Sequence, residues 1–204
     1  MKKSIVLKRV FDVFFSTVGL VFLFPVLLLI SAWIKMESNG PVFFFQDRVG
    51  LYGKLFRIIK FRTMVPEAEL KGLQITVGCD PRITSVGHFL RHYKLDELPQ
   101  LLNVIIGEMS IVGPRPEVPR YVDLYSKHQR DLVTSVLPGI TDFASLKYKD
   151  ENNILGRAKD PEKTYKEVIL PEKLKYYERY VNEQSIWLDF RLILATVTSI
   201  FLKN

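Results

Sequence analysis

Val13-Phe14-Phe15-Ser16-Thr17-Val18-Gly19-Leu20-Val21-Phe22-Leu23-Phe24-Pro25-Val26-Leu27-Leu28-Leu29-Ile30-Ser31-Ala32-Trp33-Ile34 is a run of 22 residues without a charge. How it meets a bilayer decides the shape of the chain. As a straight helix it measures about 33 Å, enough to cross a hydrocarbon core. It is too long for the apolar region of a secretory signal, and no small-residue cleavage site follows it. The segment is therefore membrane-embedded. Pro25, near its middle, removes one backbone hydrogen bond and favours a kink. Basic residues flank both ends: Lys2, Lys3, Lys8 and Arg9 before it, then Lys35, Arg48, Lys54, Arg57, Lys60 and Arg62 after it. Such flanks hold both sides in the cytoplasm. A helix that enters, bends at Pro25 and returns satisfies both observations. A kinked transmembrane helix, in which proline is common, stays open on these residues alone.

The rest of the 204 residues suffices for one domain with a real core. Lys and Arg number 29 against 22 Asp and Glu, a net charge of +7 that suits an anionic partner. Nucleic acid, a phospholipid surface and a phosphorylated substrate all qualify. The 14 phenylalanines, many near the N-terminus, decide for the membrane and against nucleic acid. Cys79 stands alone, so no internal disulfide forms, and a reducing cytoplasmic compartment fits.

Outward from the apolar run, residues 42–46 and 55–64 read as a β-hairpin around a turn at 47–53. Lys60 and Arg62 fall on one face of its second strand, a cation pair able to grip a diphosphate. Residues 66–71 suggest a short polar helix and 72–78 a loop. A helix over 85–93 buries Val86, Phe89, Leu90 and Tyr93 and leaves Arg91 off that face. His88 and His92, one turn apart, lack a third ligand and read as surface residues. Then comes Lys94-Leu95-Asp96-Glu97-Leu98-Pro99-Gln100, two adjacent carboxylates before a helical run at 101–106. Asp96 suits the N-cap and Pro99 the first turn, where the positive end of the helix favours phosphate. Capping alone would also explain these residues.

Residues 109–112 read as a short buried strand leading into Gly113-Pro114-Arg115-Pro116, a stiff turn that presents a cation. An amphipathic helix is expected over 117–136 and a turn over 137–141. The charged stretch 142–175 reads as a solvated excursion ending in a helix from about 171 to 180. The apolar segment 186–203, interrupted by Asp189 and Arg191, reads as an interfacial helix.

Four motifs in this order, Lys60-Phe61-Arg62-Thr63-Met64, Asp80-Pro81-Arg82, Leu95-Asp96-Glu97-Leu98-Pro99-Gln100 and Gly113-Pro114-Arg115-Pro116, closely resemble the bacterial sugar transferases known as small monotopic phosphoglycosyl transferases. The resemblance runs from about Lys8 to the C-terminus. It implies an α/β fold, with a re-entrant membrane helix over 1–36 hinged at Pro25. Residues 37–204 would then form a catalytic domain on the cytoplasmic face of the bacterial inner membrane. It also implies transfer of a sugar phosphate from a UDP-sugar to polyprenol (undecaprenyl) phosphate, dependent on Mg²⁺, and leaves a homodimer open. By the same resemblance Asp96 is the nucleophile and Glu97 its neighbour serving metal or general base, so that both carboxylates are candidate metal ligands. Lys60, Arg62 and Arg91 match cations near the diphosphate, and Arg115 the element near the uridine. The chain departs from the family at Phe24-Pro25, where Ser-Pro is common. It departs again at 137–143, and at Tyr176-Tyr177, where Leu-Asp is usual.

The chemistry has a physical basis in these residue types. A carboxylate attacking a diphosphate meets like-charge repulsion, which cations and a divalent metal offset. A covalent acyl phosphate divides transfer between a water-soluble donor and a lipid acceptor into two steps. Two other classes remain: a membrane-anchored nucleotide-sugar hydrolase with water as acceptor, and a non-catalytic adaptor whose basic face binds anionic lipid.

Overall fold

The computed structural model describes residues 2–68, 75–78 and 80–201. Helix α1, Lys2–Glu37, carries the apolar run and continues through Pro25 without interruption of its range. Its buried residues fall in two pairs one turn apart, Asp12 and Ser16 near one end, Ile30 and Ile34 near the other. Between them Val21, Phe22, Phe24, Leu28 and Leu29 are exposed. A core helix of a water-soluble domain would bury those residues, so this middle is built for an apolar surrounding.

Both ends of α1 are held by the same body. Lys8 reaches the Asp189 carboxylate at 2.6 Å and donates to the Val112 carbonyl at 3.1 Å. Asp12 accepts from the Ser110 hydroxyl at 2.8 Å and the Ile111 amide at 3.2 Å, and Arg9 donates to the Ile105 carbonyl at 3.1 Å. At the other end Ile30 and Ile34 pack with Phe61, Val86 and Leu90. Glu37 accepts from the Val86 amide at 3.0 Å, the first turn of the next helix but one strand pair away in sequence.

Strands β1, Phe43–Val49, and β2, Leu55–Phe61, form the expected antiparallel hairpin, with Phe43 opposite Phe61 and Val49 opposite Leu55. Helix α2, Ser85–His92, starts at Thr84, whose side chain accepts from the Gly87 amide. Helix α3, Gln100–Ile106, docks on the open edge of β2. There the Asn103 side chain takes the Ile59 amide at 3.0 Å and donates to the Arg57 carbonyl at 2.7 Å, replacing a third strand.

Strand β3, Ser110–Val112, pairs in parallel with β4, Gly139–Thr141. The turn expected over 137–141 is thus partly a strand, because Gly139 can lie directly against Gly113. The single helix expected over 117–136 is two, α4 at Pro119–Val122 and α5 at Lys127–Val133. Ser126 divides them: its side chain accepts from the Gln129 amide while Gln129 reaches back, a capping box that starts a new helix.

The solvated excursion expected over 142–175 is instead the centre of the largest core. Helices α6, Phe143–Lys147, α7, Glu151–Gly156, α8, Pro161–Thr164, and α9, Leu170–Glu183, fold over it. Ala144, Leu155, Tyr165, Ile169, Leu174 and Tyr177 pack there with Tyr121, Tyr125 and Val133. Helices α6, α7 and α8 are too short for a hydrophobic period to show in any one of them, so the charges dominate the sequence pattern there, while α9 contains the helix expected from about 171 to 180. Helix α10, Ile186–Phe201, exposes Trp187, Phe190, Leu194 and Val197 and buries Asp189 and Leu192. Asp189 does not interrupt it, because Lys8 and the Tyr180 hydroxyl, the latter at 2.7 Å, meet its carboxylate. The short polar helix expected over 66–71 falls partly outside the described residues, as does Cys79.

Candidate active site

The two carboxylates lie on a tight turn between α2 and α3. Lys94 turns the chain with φ 56°, a left-handed conformation that costs a non-glycine residue roughly 1 kcal/mol, and Leu95–Glu97 forms one 3₁₀ turn. Pro99 stands at the N-cap of α3 with no side-chain cap bond, so Asp96 does not cap that helix as expected. Its carboxylate is left for other work. Asp96 and Glu97 are both 8% exposed, yet their surroundings differ.

Glu97 is held on both sides. Lys60 on β2 meets it at 2.8 Å, and Arg115 donates to it through both terminal nitrogens. Burial alone would raise its pKa, but Arg115 and then Lys60 together hold it well below the ordinary glutamate value. Among the described residues nothing hydrogen-bonds or ion-pairs the Asp96 carboxylate. Burial and then the Glu97 charge raise its pKa, opposed by Lys60, Lys94 and Arg91. One carboxylate is therefore a fixed anion between cations. The other is uncommitted and more basic, as a nucleophile should be.

The cations predicted from sequence are not all brought together. Lys60, Arg91 and Arg115 act on the pair. Arg91 is held by the Thr63 hydroxyl at 2.8 Å and the Thr76 hydroxyl at 2.9 Å. Arg62 is engaged elsewhere: it donates to the Asn39 carbonyl at 2.8 Å and the Ser38 carbonyl at 2.9 Å, closing the C-terminal end of α1. Side chains two apart on one strand face should have pointed together, but β2 ends at Phe61 and Arg62 lies one residue beyond it. The Asp80-Pro81-Arg82 motif is a local clamp, in which the Asp80 carboxylate takes the Arg82 side chain at 2.6 Å.

Two participants escaped the sequence reading. Lys94 supplies positive charge to both carboxylates. Asp142 accepts from the Arg115 amide at 2.9 Å and from the Ser145 amide, fixing the Arg115 backbone to the start of α6. The Asp142-Phe143-Ala144-Ser145 sequence is a helix-start pattern that could have placed it. From Glu97 and Arg115 a cavity of about 430 Å³ extends between α6, α7, α9 and α10. Its lining combines apolar residues, Leu98, Leu101, Ile193, Val197 and Ile200, with the polar Lys94, Lys149, Asn152 and Lys173.

Among the described residues no three His, Cys, Asp or Glu side chains gather as a metal cage. Mg²⁺ does not require one, since one or two carboxylates plus substrate phosphates suffice. The open lone pairs of Asp96 fit that role, whereas Glu97 is already occupied by Lys60 and Arg115.

This constellation has relatives. The family model described as bacterial sugar transferase matches residues 3–203. The chain belongs to that family. It is 38% identical over 208 residues to a UDP-glucose:undecaprenyl-phosphate glucose-1-phosphate transferase of Klebsiella pneumoniae, covering 98% of this chain and 41% of the relative. A UDP-N-acetylgalactosamine-undecaprenyl-phosphate N-acetylgalactosaminephosphotransferase of Aeromonas hydrophila is 34% identical, with 95% of this chain matching 43% of that protein. The chain thus spans about two fifths of these relatives. An exopolysaccharide production protein of Rhizobium leguminosarum bv. phaseoli is 36% identical over 96% of both chains. The family's named members differ in the sugar they carry, so the match leaves the sugar to be read from the site.

Proposed function

We propose that this chain transfers a sugar-1-phosphate from a UDP-sugar to undecaprenyl phosphate, releasing UMP and opening the assembly of a bacterial surface glycan. The observation that carries the reading is the uncommitted Asp96 carboxylate next to Glu97, which Lys60 and Arg115 clamp and which lines a cavity of mixed apolar and charged residues. In the first step an Asp96 oxygen attacks the phosphorus that bears the sugar. The bond from that phosphorus to UMP breaks, and the electron pair leaves on the UMP phosphate. In the second step a phosphate oxygen of the lipid attacks the same phosphorus and returns Asp96 as a carboxylate. Lys60, Arg91 and Arg115 offset the charge on the phosphoryl oxygens, and the Arg forks match their geometry. Glu97 holds two of these cations in place and keeps Asp96 basic. Asp96 is the residue that would hold Mg²⁺, which would supply further charge neutralisation.

The same reading places the chain in the bacterial inner membrane, on its cytoplasmic face. There α1 enters and returns, and 37–204 forms the catalytic body. Support comes from the anchoring of both ends of α1 on one body around an exposed apolar middle. Exposed Trp187 and Phe190 of α10 suit the interfacial zone.

Intact-mass measurement tests the chemistry. With a UDP-sugar and Mg²⁺ but no lipid, the wild type gains one sugar phosphate and releases one UMP per chain. Asp96→Asn gains nothing. Continued UMP turnover without lipid would identify a hydrolase, and an adduct on another residue would remove Asp96 from the centre.

A further inference from the structure

Two hydroxyl groups of the cavity-lining residues are left short of hydrogen bonds among the described residues. Tyr177 on α9 is fully buried and its hydroxyl meets no donor or acceptor there, while the Ser145 hydroxyl of α6 has only the Asp142 carboxylate near it and makes no well-formed bond. An unpaired buried hydroxyl is costly, and folded proteins pair nearly all of them. Asp142 ties both to the reacting centre. Its carboxylate holds the Ser145 and Arg115 amides, and its charge acts on the Tyr177 phenol. Arg115 in turn grips Glu97. Burial, with Asp142 second, holds the phenol well above its ordinary value, so it is neutral and can both donate and accept.

Resting on the transferase reading above, we propose that Tyr177 and Ser145 form the sugar subsite, hydrogen-bonding hydroxyls of the sugar ring on the nucleotide-sugar donor. The sugar is bonded to the phosphate that Asp96 attacks, so it must lie within a few ångströms of the carboxylates. Neutral groups that donate and accept match sugar hydroxyls, whereas the phosphates are met by Lys60, Arg91 and Arg115. Asn152 and the Lys173–Glu151 pair, at 2.5 Å, add fixed polar groups farther along the same cavity. Sugar choice is thereby set by α6, α7 and α9, the elements folded from the charged 142–175 stretch.

The test is a donor panel with wild type, Tyr177→Phe and Ser145→Ala, following UMP release with lipid acceptor present. Tyr177→Phe removes an unpaired hydroxyl, so its thermal stability should hold or rise. The expected result is a loss of roughly 10- to 100-fold in kcat/KM for the preferred UDP-sugar in Tyr177→Phe, with a smaller loss in Ser145→Ala. Inhibition by UMP should be unchanged in both. A donor lacking the recognised hydroxyl should be used equally by variant and wild type. Weakened UMP inhibition by the same factor would assign the hydroxyls to the nucleotide and overturn the sugar subsite. Unchanged kcat/KM in both variants would also overturn it, leaving hydroxyls that only water meets. Failure of the transferase reading is separate, since it shows in the wild type as no UMP release from any UDP-sugar.

Discussion

Asp96 and Glu97 are neighbours in sequence with opposite surroundings, and their pH behaviour should show it. Because burial and Glu97 raise the Asp96 pKa, the attacking anion forms only as pH rises through that raised value. The acid limb of kcat/KM should therefore lie above the ordinary aspartate range. Glu97→Gln removes the repelling charge, so the limb should move to lower pH while the maximum falls by roughly 10²–10³-fold as Lys60 and Arg115 lose their anchor. An unmoved limb would detach Asp96 from that titration. Stability follows with its own sign. A raised carboxyl pKa stabilises the fold while protonated, and that contribution is lost as pH rises through the folded value. At neutral pH the ionised Asp96 is a buried charge that no described residue hydrogen-bonds or ion-pairs, and burial with Glu97 outweighs Lys60, Lys94 and Arg91, so Asp96→Asn should melt higher than wild type, with the gap closing on acidification. Activity should nevertheless fall by roughly 10³-fold or more. A melting point below wild type at neutral pH would mean that Asp96 has a structural partner after all.

At the level of elements, the short parallel pair β3 and β4 positions Arg115. Gly139 donates to the Pro114 carbonyl at 2.9 Å, and a Cβ at Gly139 would fall 2.0 Å from the Gly113 nitrogen. Gly139→Ala should part the strands, destabilise the fold by about 1–3 kcal/mol in urea unfolding, and lower kcat/KM by loosening Arg115 from Glu97. Wild-type kinetics in a destabilised variant would show that this pair carries stability alone. These contacts also mark how far the sequence could be read. The hairpin was legible because an apolar run at 42–46 and an alternating run at 55–64 flank a turn, and α2 because its apolar residues recur at helical spacing. The Asp96-Glu97 pair was legible as a motif, but its division of labour was not. That division depends on Lys60 and Arg115, which are 37 and 18 residues away from Glu97 along the chain. Strand β4 was hidden because three residues carry no period. The 142–175 core was hidden because Leu155, Tyr165, Ile169 and Tyr177 lie on several short elements dense in surface charge.

The whole molecule joins an apolar helix to a basic body, and the manner of joining predicts its topology. Lys8 and Arg9 are bound to the domain rather than left as free flanking charges, and Ile30 and Ile34 return to the same domain 22 residues after Lys8. A helix that crossed the bilayer would have to give up one set of these contacts. Releasing the Lys8 end would leave Asp189 buried without Lys8 and strip Ser110 and Ile111 of the Asp12 carboxylate, which costs several kcal/mol. Both ends should therefore stay on the cytoplasmic side. In a Cys79→Ser background, single cysteines at Lys3 and at Asn204 should both resist an impermeant thiol reagent added to intact cells, and both should label after permeabilisation. Labelling of the Lys3 position from outside would sink the re-entrant arrangement. The two ends and the middle can be weighed against each other in the same assay. Pro25→Ala restores a backbone hydrogen bond and favours a straight helix, whereas Lys8→Met weakens the anchor at the Asp189 end. If the anchors dominate, Pro25→Ala alone should leave most Lys3 sites protected, and adding Lys8→Met should expose them. Full exposure by Pro25→Ala alone would show that the proline, and not the buried charge network, keeps the helix from crossing.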